Sequence, residues 1–307
     1  MTAWKNFMLF KEFVGVHWKS LRGAERTIMF VVFLATVRKL AYSSIVANLA
    51  GIRYWQGVNG INDSSVKNGK NIRQLELLLR GIKRSAPERR RLSRLPVTRP
   101  LLESLLRLAE CLGLQELEAC RLRAALLLGF WGFFRSEAYC SVRGRPSTLR
   151  RGDVSRCWLK DGSIFLVLRL RKSKARQFKE DTVYLHSVSG GHCPVVEVVR
   201  FLDISASLSG LSGSSQLLEI PGNPLSVKVL NGLLRALVLR AGLDPQRFSS
   251  HSLRAGAATH AANAGVSPLL IQKLGRWSSG CFANYVRDPK PAIKAAQGKM
   301  ARKGGDI

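Results

Sequence analysis

Side chains that can bind an anion lie close together between residues 251 and 287. His251 and Arg254 are three positions apart, a spacing that places both on one face of a helix. An imidazole beside a guanidinium at the start of a helix, where the helix dipole also favours negative charge, is suited to hold an anion. Trp277 and Tyr285 follow in the same stretch and add an indole N–H and a phenol hydroxyl.

Short helices are predicted to carry these side chains. Ser250 is a suitable N-cap for the first helix, and Gly265 is expected to end it. Ser267 and Pro268 are typical of the start of a second helix. The buried stripe of that helix is predicted to consist of Leu269, Leu270, Ile271 and Leu274. A last short helix is expected to carry Tyr285.

Three parts of this stretch form an ordered pattern: HSLR from His251, LGRW ending at Trp277, and Tyr285 eight residues later. The pattern resembles the C-terminal signature of the tyrosine recombinases, the phage-integrase family. The sequence GRWSSxxFxxY is most similar to recombinases of DIRS-type retrotransposons and Crypton elements. The resemblance implies a mainly α (α+β) fold, in which a SAM-like N-terminal helical bundle precedes a helical catalytic domain with a small β-sheet or hairpin.

Arg135 follows a long helix that is predicted over 114–134 and is apolar almost all round. A charge at the edge of a buried helix is costly unless it is paired or serves an anion, and the sequence allows both. The resemblance identifies Arg135 as the first catalytic arginine. The family usually has an acid three residues later, where this chain has Ala138. Glu137 is one position short, which is roughly 100° around a helix, and this departure leaves an inactive protein as the alternative.

A basic hairpin is predicted over residues 163–186, where two strand-like runs flank the polar segment KSKARQFKED. Lysines at the tip of a hairpin are often only solvated surface charges. The resemblance places the catalytic lysine of the family at Lys174, with Lys172 as the alternative.

The resemblance implies a role for each residue at a DNA phosphodiester. Arg135 and Arg254 would neutralise its non-bridging oxygens and stabilise the charge that grows in the transition state. His251 and Trp277 would donate hydrogen bonds to the same oxygens, and His251 would also help to move a proton.

Tyr285 would be the nucleophile and form a 3′-phosphotyrosine, while Lys174 would protonate the leaving 5′-oxygen. Arg276 lies between Gly275 and Trp277, and because the family often has Gly directly before its His or Trp, Arg276 is the alternative to Trp277 for that position; it is also counted as a further phosphate contact. No metal, nucleotide cofactor or small-molecule substrate is expected.

The chain is predicted to form two domains: residues 1–92, an N-terminal helical core-binding domain that clamps DNA, and residues 93–307, the catalytic domain. The boundary lies in an arginine-rich segment bounded by Pro87 and Pro96, which is typical of an exposed linker. The DNA-contacting candidates of the first domain are Lys67, Lys70, Lys83 and Arg84.

A net charge of +29, from 49 basic and 20 acidic residues, favours a polyanionic partner. Double-stranded DNA fits better than a membrane, because no stretch approaches the ~20 apolar residues of a transmembrane helix. The N-terminus lacks a signal-peptide pattern, which predicts an intracellular protein, nuclear if the host is eukaryotic. The cysteines have no paired spacing, so neither disulfides nor a metal site are expected.

These observations favour a site-specific DNA recombinase or integrase that acts as a homo-tetramer on two DNA duplexes. A catalytically inactive DNA-binding relic of such a recombinase is the alternative. A general basic RNA-binding protein is a weaker third hypothesis, and it predicts no particular geometry among the site residues.

Overall fold

The computed structural model describes residues 2–21, 23–60, 69–85, 94–171 and 181–286, with only the backbone of residues 69–72. Lys67, Lys172, Lys174 and the Lys70 side chain therefore lie outside the described part of the chain. The chain divides into two compact units, Met1–Arg91 and Leu92–Ile307.

The first unit is built from helices that pack around an aromatic and aliphatic core. They are α1 (Thr2–Val14), α2 (Gly23–Thr36), α3 (Tyr42–Val58) and α4 (Gly69–Ser85). Phe10 of α1, Phe30 of α2 and Ile45 of α3 are each at most 1% exposed, so the helices share one core. The buried amide of Asn6 donates to Asn48 over 2.9 Å, which satisfies both polar groups inside that core. The predicted helical bundle is confirmed.

The second unit is mainly helical. Its helices are α5 (Arg99–Leu108), α6 (Glu116–Trp131), α7 (Pro194–Ala206), α8 (Val227–Arg240), α9 (Ser250–Asn263) and α10 (Pro268–Gly275). Helix α6 lies at the centre, since every residue from Ala119 to Phe130 is buried. It ends earlier than predicted because Phe133 adopts a left-handed backbone conformation with φ 50°, which no α-helix can continue through.

A three-stranded antiparallel sheet in the order β1-β2-β3 completes the second unit. The strands are β1 (Val154–Trp158), β2 (Ile164–Leu170) and β3 (Asp181–His186). The two predicted strands are confirmed as β2 and β3, with Leu168 paired to Val183. Strand β1 was not expected, because its sequence VSRCW is half exposed and lacks a clear apolar alternation. Glu219–Ile220 and Asn223–Pro224 form a further short ladder, β4 and β5.

Two local predictions near the C-terminal end need correction. Helix α9 is capped by Ser249, not Ser250, through a capping box in which Ser249 N–H donates to the Ser252 hydroxyl over 3.1 Å. The predicted leucine stripe of α10 is wrong, since only Ile271 of it is buried; the exposed fractions are 64% for Leu269, 48% for Leu270 and 39% for Leu274. Adjacent residues differ by roughly 100° around a helix, and α10 rests on the unit through one narrow face.

Capping of the other helices follows the predicted pattern. The Ser267 hydroxyl accepts from Leu270 N–H over 3.3 Å, and Pro268 is the first residue of α10. No helix in the described ranges is long and apolar enough to cross a membrane.

Candidate active site

Helix α9 carries two of the predicted site residues at different depths. His251, in its first turn, is exposed, whereas Arg254, one turn further, is 1% exposed. The start of this helix is held from two sides. Ser250 N–H donates to Asn231 Oδ1 of α8 over 2.7 Å, and the Ser250 hydroxyl donates to that of Ser136, next to Arg135, over 3.1 Å.

The buried guanidinium of Arg254 is held by main-chain oxygens. It donates to the Phe133 carbonyl through Nη1 and to the Gly275 carbonyl over 2.5 Å through Nη2. Arg276 donates to the same Phe133 carbonyl over 3.1 Å and to Gly132 over 3.0 Å. The left-handed backbone at Phe133 therefore places one carbonyl oxygen where it joins two guanidinium groups.

Aromatic rings surround the outer side of Arg254. Its guanidinium carbon lies 4.3 Å from the centre of the Trp277 ring and 5.6 Å from that of Tyr285. The Tyr285 ring centre is 4.9 Å from that of Trp277 and 5.1 Å from that of His251. These four predicted residues, distant in sequence by up to thirty-four positions (285 − 251), form one cluster.

Gly275 allows the Trp277 ring to reach this place. A methyl group at position 275 would overlap the six-membered part of the Trp277 ring. The indole ring is 5% exposed, and its Nε1–H is buried with no hydrogen-bond partner among the described residues.

Burial and, to a smaller extent, repulsion from neighbouring arginines lower the pKa values of Arg254 and Arg276. The pKa of Arg254 is lowered to about 9, mainly by burial and also by the charges of Arg135 and Arg276, against a smaller opposing effect of Tyr285. The pKa of Arg276 is lowered to about 10, mainly by burial; Asp181 opposes this shift and the charge of Arg135 adds to it. An anion bound among these groups would relieve that repulsion.

Arg135 faces the same space. It lines a cavity of about 400 Å³ together with Arg254, Arg276, Arg145 and Glu137. No carboxylate in the described ranges forms an ion pair with Arg135, so the ion-pair interpretation is not realised there. Ala138 is half-buried against the hydrophobic core, and Glu137 reaches the cavity wall.

One end of the basic hairpin lies at this cavity and the other lies near Arg276. Leu170, the last residue of β2, lines the cavity, and Asp181, the first residue of β3, is close enough to Arg276 to raise its pKa. Lys174, and its alternative Lys172, fall in the segment 172–180, outside the described residues. Their placement stays a prediction.

In the first unit, the DNA-contacting candidates Lys83 and Arg84 are exposed near the end of α4. The Lys83 ammonium lies 5.8 Å from the centre of the Tyr42 ring, a cation–π contact within the unit.

The sequence did not identify several residues that build the site. Phe133, Asn231 and Ser136 act through backbone or hydrogen-bond positions that carry no local signal. Arg145 had one weak signal, because Gly144 favours a tight turn directly before it.

Comparisons with known proteins bear on this geometry. Residues 148–288 match the phage integrase family, a span that includes His251, Arg254, Trp277 and Tyr285 but not Arg135. An integrase/recombinase xerD homolog of Selenomonas ruminantium is 26% identical over 183 residues, covering 58% of this chain and 50% of that protein. The chain thus spans about half the length of this relative.

Solved recombinase structures share the fold. The XerA recombinase has a TM-score of 0.50 at 15% identity, covering 96% of this chain and 98% of that one. XerH bound to palindromic difH substrate, a post-cleavage complex, has a TM-score of 0.55 at 16% identity, covering 88% and 71%. The Tn1549 transposon integrase in complex with a circular intermediate DNA has a TM-score of 0.52 at 15% identity, covering 91% and 85%. The predicted fold class is confirmed.

Proposed function

We propose that this chain, whose residues 148–288 match the phage integrase family within a tyrosine-recombinase fold, is a site-specific DNA recombinase or integrase. Its reaction transfers a DNA phosphodiester to a tyrosine and then to another 5′-hydroxyl. Double-stranded DNA is the substrate, in agreement with the net charge of +29.

One observation carries the proposal: the Tyr285 phenol lies beside the buried Arg254 guanidinium, between the rings of His251 and Trp277. A phenol has an ordinary pKa of about 10, so it needs a cationic environment to react as a phenolate near neutral pH. Arg254, Arg276 and Arg135 supply that environment, and their mutual repulsion favours the entry of a phosphate.

In the proposed reaction, the guanidinium groups of Arg135 and Arg254 bind the non-bridging oxygens of the scissile phosphate. The Tyr285 oxygen attacks phosphorus as its proton leaves towards His251, which is exposed to solvent. The bond from phosphorus to the 5′-oxygen breaks, and Lys174 gives that oxygen a proton. The product is a 3′-phosphotyrosine and a free 5′-hydroxyl, and attack by a second 5′-hydroxyl reverses these steps.

The assembly follows from the number of bonds broken. Each chain offers one Tyr285 and cuts one strand, whereas exchange between two duplexes requires a cut in each of the four strands. We therefore propose a homo-tetramer on two DNA duplexes. The first unit would clamp the duplex through phosphate contacts of Lys67, Lys70, Lys83 and Arg84, of which Lys83 and Arg84 are exposed.

The finer identity rests on the GRWSSxxFxxY pattern that ends at Tyr285. It supports a recombinase of a DIRS-type or Crypton mobile element. Such a recombinase works inside the cell, and in the nucleus of a eukaryotic host.

Covalent trapping tests the function. A duplex that the protein binds is first selected from a random pool. A set of substrates is then made from it, each with a nick at a different position. When the nick lies close to the cleavage site, the short 5′-hydroxyl fragment diffuses away and cannot be rejoined, so the covalent adduct accumulates. We expect a protein–DNA adduct that resists denaturation and is lost in Tyr285→Phe. Tyr54→Phe, at a tyrosine of the first unit that is 76% exposed, should form the adduct normally. Absence of the adduct at every nick, on a site that the protein binds tightly, would refute the proposal.

A second candidate function is an inactive DNA-binding relic, which is favoured by Ala138 and by the absence of an ion pair at Arg135 within the described residues. It predicts tight binding that weakens steeply with salt and no adduct at any nick. A single adduct dependent on Tyr285 eliminates it.

A further inference from the structure

A rigid two-residue turn stands at the rim of the arginine-lined cavity. Arg143 and Gly144 have φ values of 49° and 74°, two successive left-handed residues that are typical of a type I′ hairpin. Val142 and Arg145 exchange both main-chain hydrogen bonds, each 2.9 Å long. The turn therefore fixes the direction in which the Arg145 side chain leaves the backbone.

The base of this turn is tied to the rest of the unit. Ser141 N–H donates to the Leu225 carbonyl, and Val227 N–H donates to the Ser141 carbonyl, both over 2.9 Å. After the turn, the backbone N–H of Ser147, which is 1% exposed, donates to Gln216 Oε1 over 2.7 Å. Arg145 thus stands on an anchored support.

Charge at the cavity is unbalanced. Among the residues that the structure describes, four arginines line it, namely Arg135, Arg145, Arg254 and Arg276, against the single carboxylate of Glu137. Within the described part of the chain, Arg145 forms no ion pair, and it is exposed. One phosphodiester carries a single negative charge, so one scissile phosphate leaves most of this positive charge uncompensated.

Successive nucleotides of B-DNA advance by about 3.4 Å along each strand, so a phosphate at the cavity floor brings its neighbours to the rim. We propose that Arg145 binds the phosphate adjacent to the scissile phosphate on the cleaved strand. This inference rests on the proposed function and adds a subsite to it. Arg143, on the same turn, is exposed but does not line the cavity, which makes it a matched control.

The test uses the full chain and the duplex selected from a random pool. Single methylphosphonates, which are neutral, replace the phosphates of each strand one at a time. We measure the dissociation constant and the rate of adduct formation for the wild type, Arg145→Ala and Arg143→Ala. We expect Arg145→Ala to weaken binding by roughly tenfold and to reduce the slope of log K against log salt by about 0.9.

The decisive readout is the coupling between residue and phosphate. At one phosphate beside the scissile one, the methylphosphonate should weaken the wild type by roughly tenfold and Arg145→Ala hardly at all. At every other phosphate, the loss of affinity caused by the methylphosphonate and the loss caused by Arg145→Ala should multiply, as independent effects do. Arg143→Ala should show no coupling to any phosphate. Because each protein is compared with itself on unmodified and modified DNA, a uniform loss of affinity from altered folding of the variant cancels in this comparison.

Each outcome separates the two proposals. Arg145→Ala that binds and reacts like the wild type, or loses affinity with no coupling to any phosphate, overturns the subsite and leaves the recombinase function intact. Coupling at one phosphate without an adduct from the wild type overturns the catalytic function, while the assignment of Arg145 to a backbone phosphate stands.

Discussion

The guanidinium carbon of Arg254 lies 4.3 Å from the centre of the Trp277 ring, while the indole N–H of Trp277 has no partner among the residues described. The ring face thus supports the cation by a cation–π contact, and the buried N–H is a donor that a bound phosphate oxygen would have to reach. These two contributions can be separated by substitution.

Trp277→Phe is expected to slow adduct formation by roughly tenfold, because phenylalanine keeps an aromatic face for Arg254 but removes the N–H donor. The free energy of unfolding should fall by about 1 kcal/mol. Single-turnover trapping and urea unfolding measure the two effects.

Trp131→Phe is the matched control for that substitution. Its indole N–H is also buried without a partner in the described ranges, and Arg99 lies 5.4 Å from its ring centre. Trp131→Phe should lose about as much stability as Trp277→Phe but form the adduct at the rate of the natural chain. Equal slowing of both variants would show that the indole at 277 acts only through packing.

Asn231→Ala is expected to slow adduct formation while DNA affinity stays unchanged. The Asn231 amide oxygen accepts the Ser250 N–H over 2.7 Å and so positions the start of α9, on which His251 and Arg254 depend. The free energy of unfolding should fall by about 1 kcal/mol. Asn231→Asp retains an acceptor and should restore the rate; if both variants react alike, Asn231 has no positioning role.

Ala138→Glu is expected to stabilise the DNA-free protein by about 1 kcal/mol, because a carboxylate at this wall would oppose the charges of Arg135 and Arg254. Ala138→Gln has a similar shape without the charge and should not stabilise. Urea unfolding at low ionic strength measures the difference.

A comparison of Ala138→Glu with the natural chain also distinguishes the two candidate functions. An adduct formed by Ala138→Glu but not by the natural chain would identify the natural chain as a decayed recombinase. Equal adduct formation by both would show that the site works without an acid at that position.

Lys174→Ala is expected to abolish adduct formation on ordinary DNA but to react normally when sulfur replaces the 5′-bridging oxygen at the scissile position. A thiolate leaves without a proton, since its conjugate acid has a pKa of about 8.5, whereas an alkoxide needs a general acid. Lys172→Ala should react normally with both substrates, and the reverse pattern would move the role to Lys172.

The sequence allowed prediction of those parts of the fold that depend on local signals. Ser267 and Pro268 begin α10, and the apolar run before Arg135 forms the central helix. The prediction from apolar periodicity was wrong for α10. Leu269 and Leu274 fit the apolar pattern, but they remain exposed because only a narrow face of the helix packs against the unit.

The candidate site could be predicted only as a set of residue types in order. Their mutual distances depend on the left-handed turn at Phe133 and on the Asn231 amide, neither of which has a sequence pattern of its own. Arg145 comes to the cavity through a hairpin that is closed by main-chain hydrogen bonds, so its role could not be read from charge alone.

The carbonyl oxygen of Phe133 belongs to the main chain, so no exchange of side chain can delete it. Loss of either arginine side chain would leave this acceptor in place for the other, so the fold offers the same anchoring point to whichever guanidinium remains.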